Sequence, residues 1–360
     1  MLSTMIHGER DLRVEETTEP AAPGPLQVKL RFGAGGICGS DLSYFNKGRV
    51  GDFNLRQPLC LGHEFAGEVL AVGSDVTDLK PGDRVAVNPN HPCRVCRACK
   101  AGKGNLCHRM QFFGSAAVFP HIQGVFSERL LVGAQQCHRV PRYLDFRVAA
   151  MSEPLAVALH AVRRAGSLVG KSILITGAGP IGCLVMMAAK AAGAARIVMT
   201  DVAVRALQRA DEMGVQETFN AISDSAEITS WFANKGSFDL SFECSGTAAA
   251  LHTAIQATTS GGAVVMVGMI ASSDAPVAIN KFVSREVDLI GAFRFDSEYA
   301  MAVDMLSRGA IDVGPLLTHQ YPMRAAQAAF MTASNREESL KVHLVADDVV
   351  ADDAVSNASP

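Results

Sequence analysis

The chain has no excess of charge of either sign: 33 Lys and Arg stand against 36 Asp and Glu, for a formal net charge of -3. There is therefore no general pull toward phosphate backbones or anionic lipid, and neither nucleic acid nor membrane is an expected partner. Long apolar runs are also missing. The greasiest stretch, Ile181 to Ala195, is interrupted by Lys190 and Gly193, short of the roughly 18–20 residues a membrane span requires. Met1 to Val14 carries His7, Glu9, Arg10, Asp11 and Arg13 where an export signal would have its apolar core, so a cytoplasmic location is expected. Internal repeats and low-complexity tracts are absent too. What is present is 48% apolar and 19% charged residue over 360 positions, the composition of a compact chain of two or three domains. Nine cysteines without an export signal point to thiols or metal ligands rather than a disulfide framework.

From Gln27 to about Val140, short apolar runs alternate with Gly, Pro and Asp, as in Gly67 to Gly73 and Lys80 to Val87. This texture predicts short strands joined by tight turns. Near Phe146 it changes. Arg147 to Gly166 reads as one helical stretch, followed by a strand at Ser172–Thr176, a helix at Pro180–Ala192, a strand at Ile197–Thr200 and a helix at Arg205–Met213. Further strands are expected at Phe238–Glu243, Gly262–Val267 and Val287–Gly291. Such alternation predicts an α/β unit, a doubly wound parallel sheet with helices on both faces. Helices near Ser297–Ser307 and Met323–Ala333 and a strand at Ser339–Val345 follow. They are assigned back to the first, β-rich domain. The expected map is thus 1–150 completed by 296–346, an inserted unit at 151–295, and a frayed tail at 347–360.

Gly177-Ala-Gly179-Pro180-Ile181-Gly182 has the G-x-G-x-x-G spacing, directly after a predicted strand and at the start of a predicted helix. The first Gly permits a tight turn, the second lets backbone approach a pyrophosphate, and the third lets helix and strand pack closely. The helix N-terminus then offers free N–H groups to phosphate. Asp201, at the end of the next strand, is placed to accept from a ribose 2′-OH and to repel a 2′-phosphate, which favours NAD over NADP. Asp201 can equally cap the helix that follows, and Arg205 leaves room for NADP.

Cys93, Cys96, Cys99 and Cys107 put four thiols within fifteen residues. Four thiolates in one short loop match a closed tetrahedral zinc site that stabilises local structure. The basic residues of this loop, Arg109 among them, suit a nucleic-acid-binding lobe, but the overall charge does not support that use. Cys38 and His63, joined by an acidic residue, can form a second, three-ligand zinc site open to substrate. Glu153 and Glu64 compete for the third position.

Gly62-His63-Glu64, Cys38-Gly39-Ser40-Asp41, the four-cysteine lobe and the later glycine motif occur in an order that resembles the zinc-dependent medium-chain alcohol and polyol dehydrogenases over nearly the whole chain. Met110 to His121, Glu153 to His160 and Gly291 to Phe295 narrow the likeness to the sorbitol and L-idonate 5-dehydrogenase types. The resemblance implies a groES-like catalytic domain, with a zinc lobe at about 90–110, and a Rossmann domain. It also implies two zincs per chain, NAD, a homodimer or homotetramer, and a sugar acid or polyol as the small-molecule substrate. Cofactor contacts are implied at Gly177, Gly179, Pro180, Ile181, Gly182, Asp201, Arg205, Val267, Gly268 and Phe293. Arg294 and Arg109 are candidates to hold a substrate carboxylate bidentately, and Tyr44 and Phe113 candidates to line the pocket. Relatives commonly carry a proton-relaying His at the position of Ser43, so Ser40 becomes the candidate first step of proton release. A neutral-polyol dehydrogenase and a non-catalytic dinucleotide-binding protein are the competing readings.

Overall fold

The computed structural model describes residues 1–270, 277 and 279–347. The last expected element, a frayed tail, lies outside the described residues apart from Asp347. Two compact units emerge. The first comprises Met1–Glu153, Tyr299–Asn335 and the residues from Lys341 onward; the second is Pro154–Glu298 with Arg336–Leu340.

In the first unit the main sheet runs in the order Cys137–Val140, Arg84–Val87, Glu64–Val72, Gln27–Gly36, Lys341–Val345 and Leu317–Pro322, with Arg129–Gly133 on the free half of Gln27–Gly36. All pairs are antiparallel except Leu317–Pro322 with Lys341–Val345. Alternation along these strands sends one set of side chains inward. The resulting core holds Phe32, Phe65, Phe126, Phe45 and Phe330, whose rings pack in a chain with centroids 5.5 to 6.5 Å apart. Each such buried ring contributes about 1.5–3 kcal/mol, which fixes the sheet that carries the site residues. Gln27–Gly36 ends in glycine for a steric reason. A Cβ on Gly36 would stand 2.0 Å from Glu64 Oε2 and 2.9 Å from Lys341 Cε.

Three strands of this unit, Leu2–Gly8, Asp11–Glu16 and Leu317–Pro322, have no counterpart in the sequence reading. In the first, Ser3 and Thr4 are buried and Ser3 Oγ lies 2.7 Å from both Thr17 Oγ1 and Ser127 Oγ, so polar pairing replaces the apolar alternation that marks a strand. The expected single helix over Arg147–Gly166 is instead two, Phe146–Ala150 and Ser152–Ala165. Pro154 has no N–H to give to the Ala150 carbonyl, so it is tolerated only within a new first turn.

The second unit holds a six-stranded, wholly parallel sheet in the order Glu217–Asn220, Arg196–Asp201, Ser172–Thr176, Phe238–Glu243, Thr258–Met266, Asp288–Gly291. Its central strands are buried on both faces and read as apolar runs, with Ile173, Leu174, Ile175 and Phe242 all at 0% exposure. The order reverses between Ser172–Thr176 and Phe238–Glu243. That switch point is where doubly wound sheets bind dinucleotides.

Candidate active site

Cys38 lies in extended backbone at the N-cap of the Gly39–Lys47 helix. Asp41, three residues on and fully buried, accepts the Cys38 N–H at 2.9 Å through Oδ2 and the Gly62 N–H at 3.1 Å through Oδ1. One carboxylate thereby ties the Cys38 turn to the Gly62–His63 turn, and its Oδ1 stands 3.8 Å from His63 Nδ1. Donor atoms of Cys38, His63 and Glu64 all lie within 4.8 Å of one another. Among the described residues, His63 Nδ1 is buried without a hydrogen-bond partner. Burial, reinforced by the Glu64 charge, pushes the Cys38 thiol up to about 11, so the protein alone does not stabilise a thiolate there. An orphaned imidazole nitrogen beside a thiol and a carboxylate is the donor set of a zinc ion, and the residues fit one.

Glu153 is buried at 4% exposure. Burial and the charges of Glu64 and Cys38 push its carboxyl up to about 8 against His63 and Lys341. It therefore faces the same cluster, while the three groups within mutual ligand distance are Cys38, His63 and Glu64. Glu64 has a partner that the sequence reading missed. Lys341 Nζ, 3% exposed, donates to Glu64 Oε1 at 2.6 Å and to the Ile37 carbonyl at 3.1 Å. Asp41 was missed as well, although its position as third residue of the helix after Cys38 is a capping-box signal. The Ser40 N–H is directed at the Cys38 sulfur. Ser43 is turned away: its Oγ donates to the Arg49 carbonyl at 2.7 Å.

Cys93, Cys96, Cys99 and Cys107 also bring their sulfurs within 4.8 Å of one another, and all nine cysteines are free thiols. Backbone N–H groups converge on the cluster, from Cys93 and Arg109 to the Cys107 sulfur at 3.2 and 3.3 Å. The Val95 N–H leads the donors that bring the Cys93 thiol down to about 6. N–H donors aimed at sulfur favour the thiolate a metal needs. Arg109 belongs to this lobe, its guanidinium beside the Cys93 sulfur. Tyr44 and Phe113 pack with the first unit's core, and the Tyr44 hydroxyl accepts the Ala116 N–H at 2.9 Å.

In the second unit the three glycines behave differently. Gly177 has φ +102°, and a Cβ there would meet Ser245 N at 2.9 Å; a Cβ on Gly182 would stand 1.8 Å from the Gly177 carbonyl oxygen. Among the described residues outside its chain neighbours, nothing lies within 4 Å of a Cβ on Gly179. Two glycines thus permit close packing, while the middle one leaves backbone open. Pro180 and Ile181 begin the Pro180–Ala191 helix. Asp201 Oδ2 accepts the Ala178 N–H at 2.7 Å and Oδ1 the Ala203 N–H at 2.9 Å, so it pins the glycine loop to the strand end. The N-cap of the following helix is Ala203. Arg205 is exposed and donates to Gln208.

Val267 and Gly268 both donate to the Glu243 carbonyl at 2.9 Å. Phe293 is 44% exposed beneath the Arg294 guanidinium, 4.9 Å from its ring centre. Arg294 itself has φ +54°. Glu243, which sequence reading passed over, is fully buried at the end of its strand and accepts the Ser245 and Gly246 N–H groups at 2.8 and 2.9 Å.

A parallel sheet of this order with its glycine loop, carried on the same chain as a thiol, imidazole and carboxylate donor group, defines a dinucleotide-dependent oxidoreductase with a metal site. Residues 24–142 match the alcohol dehydrogenase GroES-like domain family, and residues 180–308 match the zinc-binding dehydrogenase family. The chain is 40% identical to L-idonate 5-dehydrogenase (NAD(P)(+)) of Escherichia coli K12, covering 95% of this chain and 98% of that one. It is 38% identical to sorbitol dehydrogenase of Bos taurus, with 96% of each covered. The crystal structure of the Escherichia coli L-idonate 5-dehydrogenase superposes with a TM-score of 0.90, at 40% identity, over 96% of this chain and 97% of that one. The chain belongs to the zinc-dependent alcohol and polyol dehydrogenases, oxidoreductases acting on CH–OH donors. Among the described residues, no helix is long and apolar enough to cross a membrane.

Proposed function

We propose that this dehydrogenase interconverts L-idonate and 5-dehydro-D-gluconate with NAD, NADP serving as an alternative. The observation that carries the chemistry is one chain holding both the Cys38, His63 and Glu64 donor group and the Gly177–Gly182 loop with Asp201. Cys38 and His63 with Glu64 or Glu153 would hold one zinc, and Cys93, Cys96, Cys99 and Cys107 a second. When bound, zinc supplies Lewis acidity toward a hydroxyl oxygen and the nicotinamide ring accepts the hydride.

The chain's own residues do the positioning. Asp41 fixes the Cys38 and His63 turns relative to each other, and Lys341 holds Glu64. Ser40 Oγ takes the hydroxyl proton toward water, since Ser43 is committed to a backbone carbonyl. Arg294 binds the carboxylate of the sugar acid through its planar fork; Arg109, engaged in the cysteine lobe, does not. Phe113 shapes the substrate pocket, with Tyr44 behind it in the core. A homodimer or homotetramer working in the cytoplasm completes the reading, for which nine free thiols suit a reducing compartment.

The substrate rests on likeness to an enzyme named for L-idonate. A neutral polyol is the second reading, favoured by the 38% identity to sorbitol dehydrogenase. The test is the initial rate of NAD(P)H absorbance change with zinc-loaded protein on L-idonate, 5-dehydro-D-gluconate, D-gluconate, sorbitol and xylitol, with both dinucleotides. Turnover of L-idonate that falls in Arg294→Ala far more than any sorbitol turnover supports the sugar-acid reading. Equal losses on acid and polyol, or turnover of polyols alone, overturn it.

A further inference from the structure

A cavity of about 620 Å³ opens on the first unit, lined by Arg84, Arg142, Arg147, Asp145, Glu68 and Phe146. It is separate from the Cys38–His63–Glu64 cluster. Val345 lines the cavity and Lys341 reaches Glu64, and the two stand four residues apart on one strand, about 13 Å at the usual rise.

The charges around this cavity do not cancel. Asp145 is taken by Arg147, whose Nη2 donates to Oδ2 at 2.6 Å, and Arg147 Nη1 goes on to Gln320. Glu68 is taken by Arg31 at 3.2 Å. Among the described residues, neither Arg84 nor Arg142 has a carboxylate within 4.0 Å. Arg84 lies over the Phe146 ring with its guanidinium carbon 3.7 Å from the ring centre, and its Nη1 donates to the Arg142 carbonyl. Its Nε is buried without a hydrogen-bond partner. Burial holds this guanidinium below its ordinary value, and the Arg142 charge adds to that against Asp145 and Glu68. Arg142 itself is exposed and reaches over Gly82, where a Cβ would come 3.7 Å from its Nη2.

Two guanidiniums, neither with a carboxylate within 4.0 Å among the described residues, share one concave site, where Asp145 and Glu68 act on Arg84 only from farther off. A doubly charged oxyanion supplies the missing close partner, because planar guanidinium forks match phosphate oxygens and a phosphate monoester carries close to two charges at neutral pH. The volume falls in the range of about 300–1,000 Å³ typical of small-molecule sites. We propose that this cavity is a binding site for a phosphate monoester of sugar size, distinct from the catalytic cluster.

Isothermal titration calorimetry on the zinc-loaded full chain tests it, with inorganic phosphate and with glycerol 3-phosphate, each against sodium chloride at equal ionic strength. Phosphate drawn to the Gly177–Gly182 loop is unaffected by changes at Arg142, so the difference between wild type and Arg142→Glu reads this cavity alone. One more phosphate bound per chain in wild type than in Arg142→Glu is the expected result, with affinity about tenfold or more weaker in Arg142→Ala and kept in Arg142→Lys. Arg142 is exposed, so the variants keep the fold. Identical titrations of wild type and both charge-removing variants overturn the proposal. A succinate titration that matches glycerol 3-phosphate in affinity overturns the phosphate assignment.

Discussion

Replacing Lys341 by Met removes the partner of a carboxylate that has almost no access to water. Glu64 is 1% and Lys341 3% exposed, with Nζ 2.6 Å from Oε1. Taking one member from such a buried pair leaves an uncompensated charge and costs about 3–5 kcal/mol, against about 0–1 kcal/mol for an exposed pair. The readout is hydrogen exchange at the backbone amides of Glu64–Val72 and Lys341–Val345, because Trp231, the sole tryptophan, lies in the second unit and reports that unit instead. At 1.4 kcal/mol per factor of ten, protection in these strands falls by about 100-fold to several thousand-fold in metal-stripped protein. Trp231 fluorescence on urea unfolding stays as in wild type. The double variant Lys341→Met/Glu64→Gln recovers most of the protection, since the orphaned charge is gone. The zinc-loaded protein adds a second reading. If Glu64 ligates the metal, zinc replaces part of the lost compensation and the Lys341→Met loss shrinks; if Glu153 ligates instead, the loss is the same with and without zinc. Protection that drops by less than about tenfold in the metal-stripped variant refutes the claim that this pair holds Glu64.

Three further outcomes are expected. Cys38→Ala abolishes turnover of every substrate while dinucleotide binding, followed by NADH fluorescence, stays near wild type; normal turnover would remove Cys38 from the mechanism. Gly179→Ala leaves the unfolding midpoint of the second unit unchanged, because no described residue beyond its chain neighbours lies within 4 Å of the added methyl, and weakens NADH binding. Gly182→Ala, with its methyl 1.8 Å from the Gly177 oxygen, destabilises that unit by about 1–3 kcal/mol as well, and equal midpoints for the two variants would contradict the division of labour in the loop. Glu298 supplies a pH dependence. Burial works to raise its carboxyl, yet the His160 hydrogen bond at 3.1 Å and the Asp296 N–H bring it down to about 2. A carboxyl depressed in the folded state contributes stability that is fully present above its unfolded pKa of about 4.3 and is lost as pH falls through the folded value. The second unit therefore loses stability between about pH 5 and pH 2, and Glu298→Gln flattens that part of the profile in thermal unfolding. An unchanged acid limb in this variant would remove Glu298 from the account.

Legibility in the sequence followed the range of the interaction. The glycine loop, the strand before it and the helix after it are neighbours in the chain, so spacing alone located Gly177, Gly179 and Gly182 on the turn where they are found. Five of the six parallel strands were readable, the central ones because both faces are covered, which leaves apolar runs such as Ser172–Thr176; the half-exposed edge strand Glu217–Asn220 carries no such run. The four-cysteine lobe was equally local. Cys38 and His63 are further apart, and what joins them is Asp41, a residue whose capping position is visible in the sequence but whose second bond, to the Gly62 N–H at 3.1 Å, is not. Lys341 has no local signal at all. It lies 277 positions from Glu64, on a strand that pairs with Gln27–Gly36 only once the chain has left for the second unit and returned.

The same pairing explains why Gly36 must be a glycine, since its missing side chain is the space that Glu64 Oε2 and Lys341 Cε occupy. Arg84 and Arg142 belong to this class too, brought to one cavity by the pairing of Arg84 with Val140 at the strand ends. Residues that bring a ligand donor or a cofactor turn into position from within a few positions can be read as motifs; residues that neutralise, orient or surround them come from distant strands, and only the assembled sheet identifies them. A variant survey limited to the motifs would therefore sample the chemistry of this dehydrogenase and miss Lys341, the group that pairs with Glu64 and holds it in place.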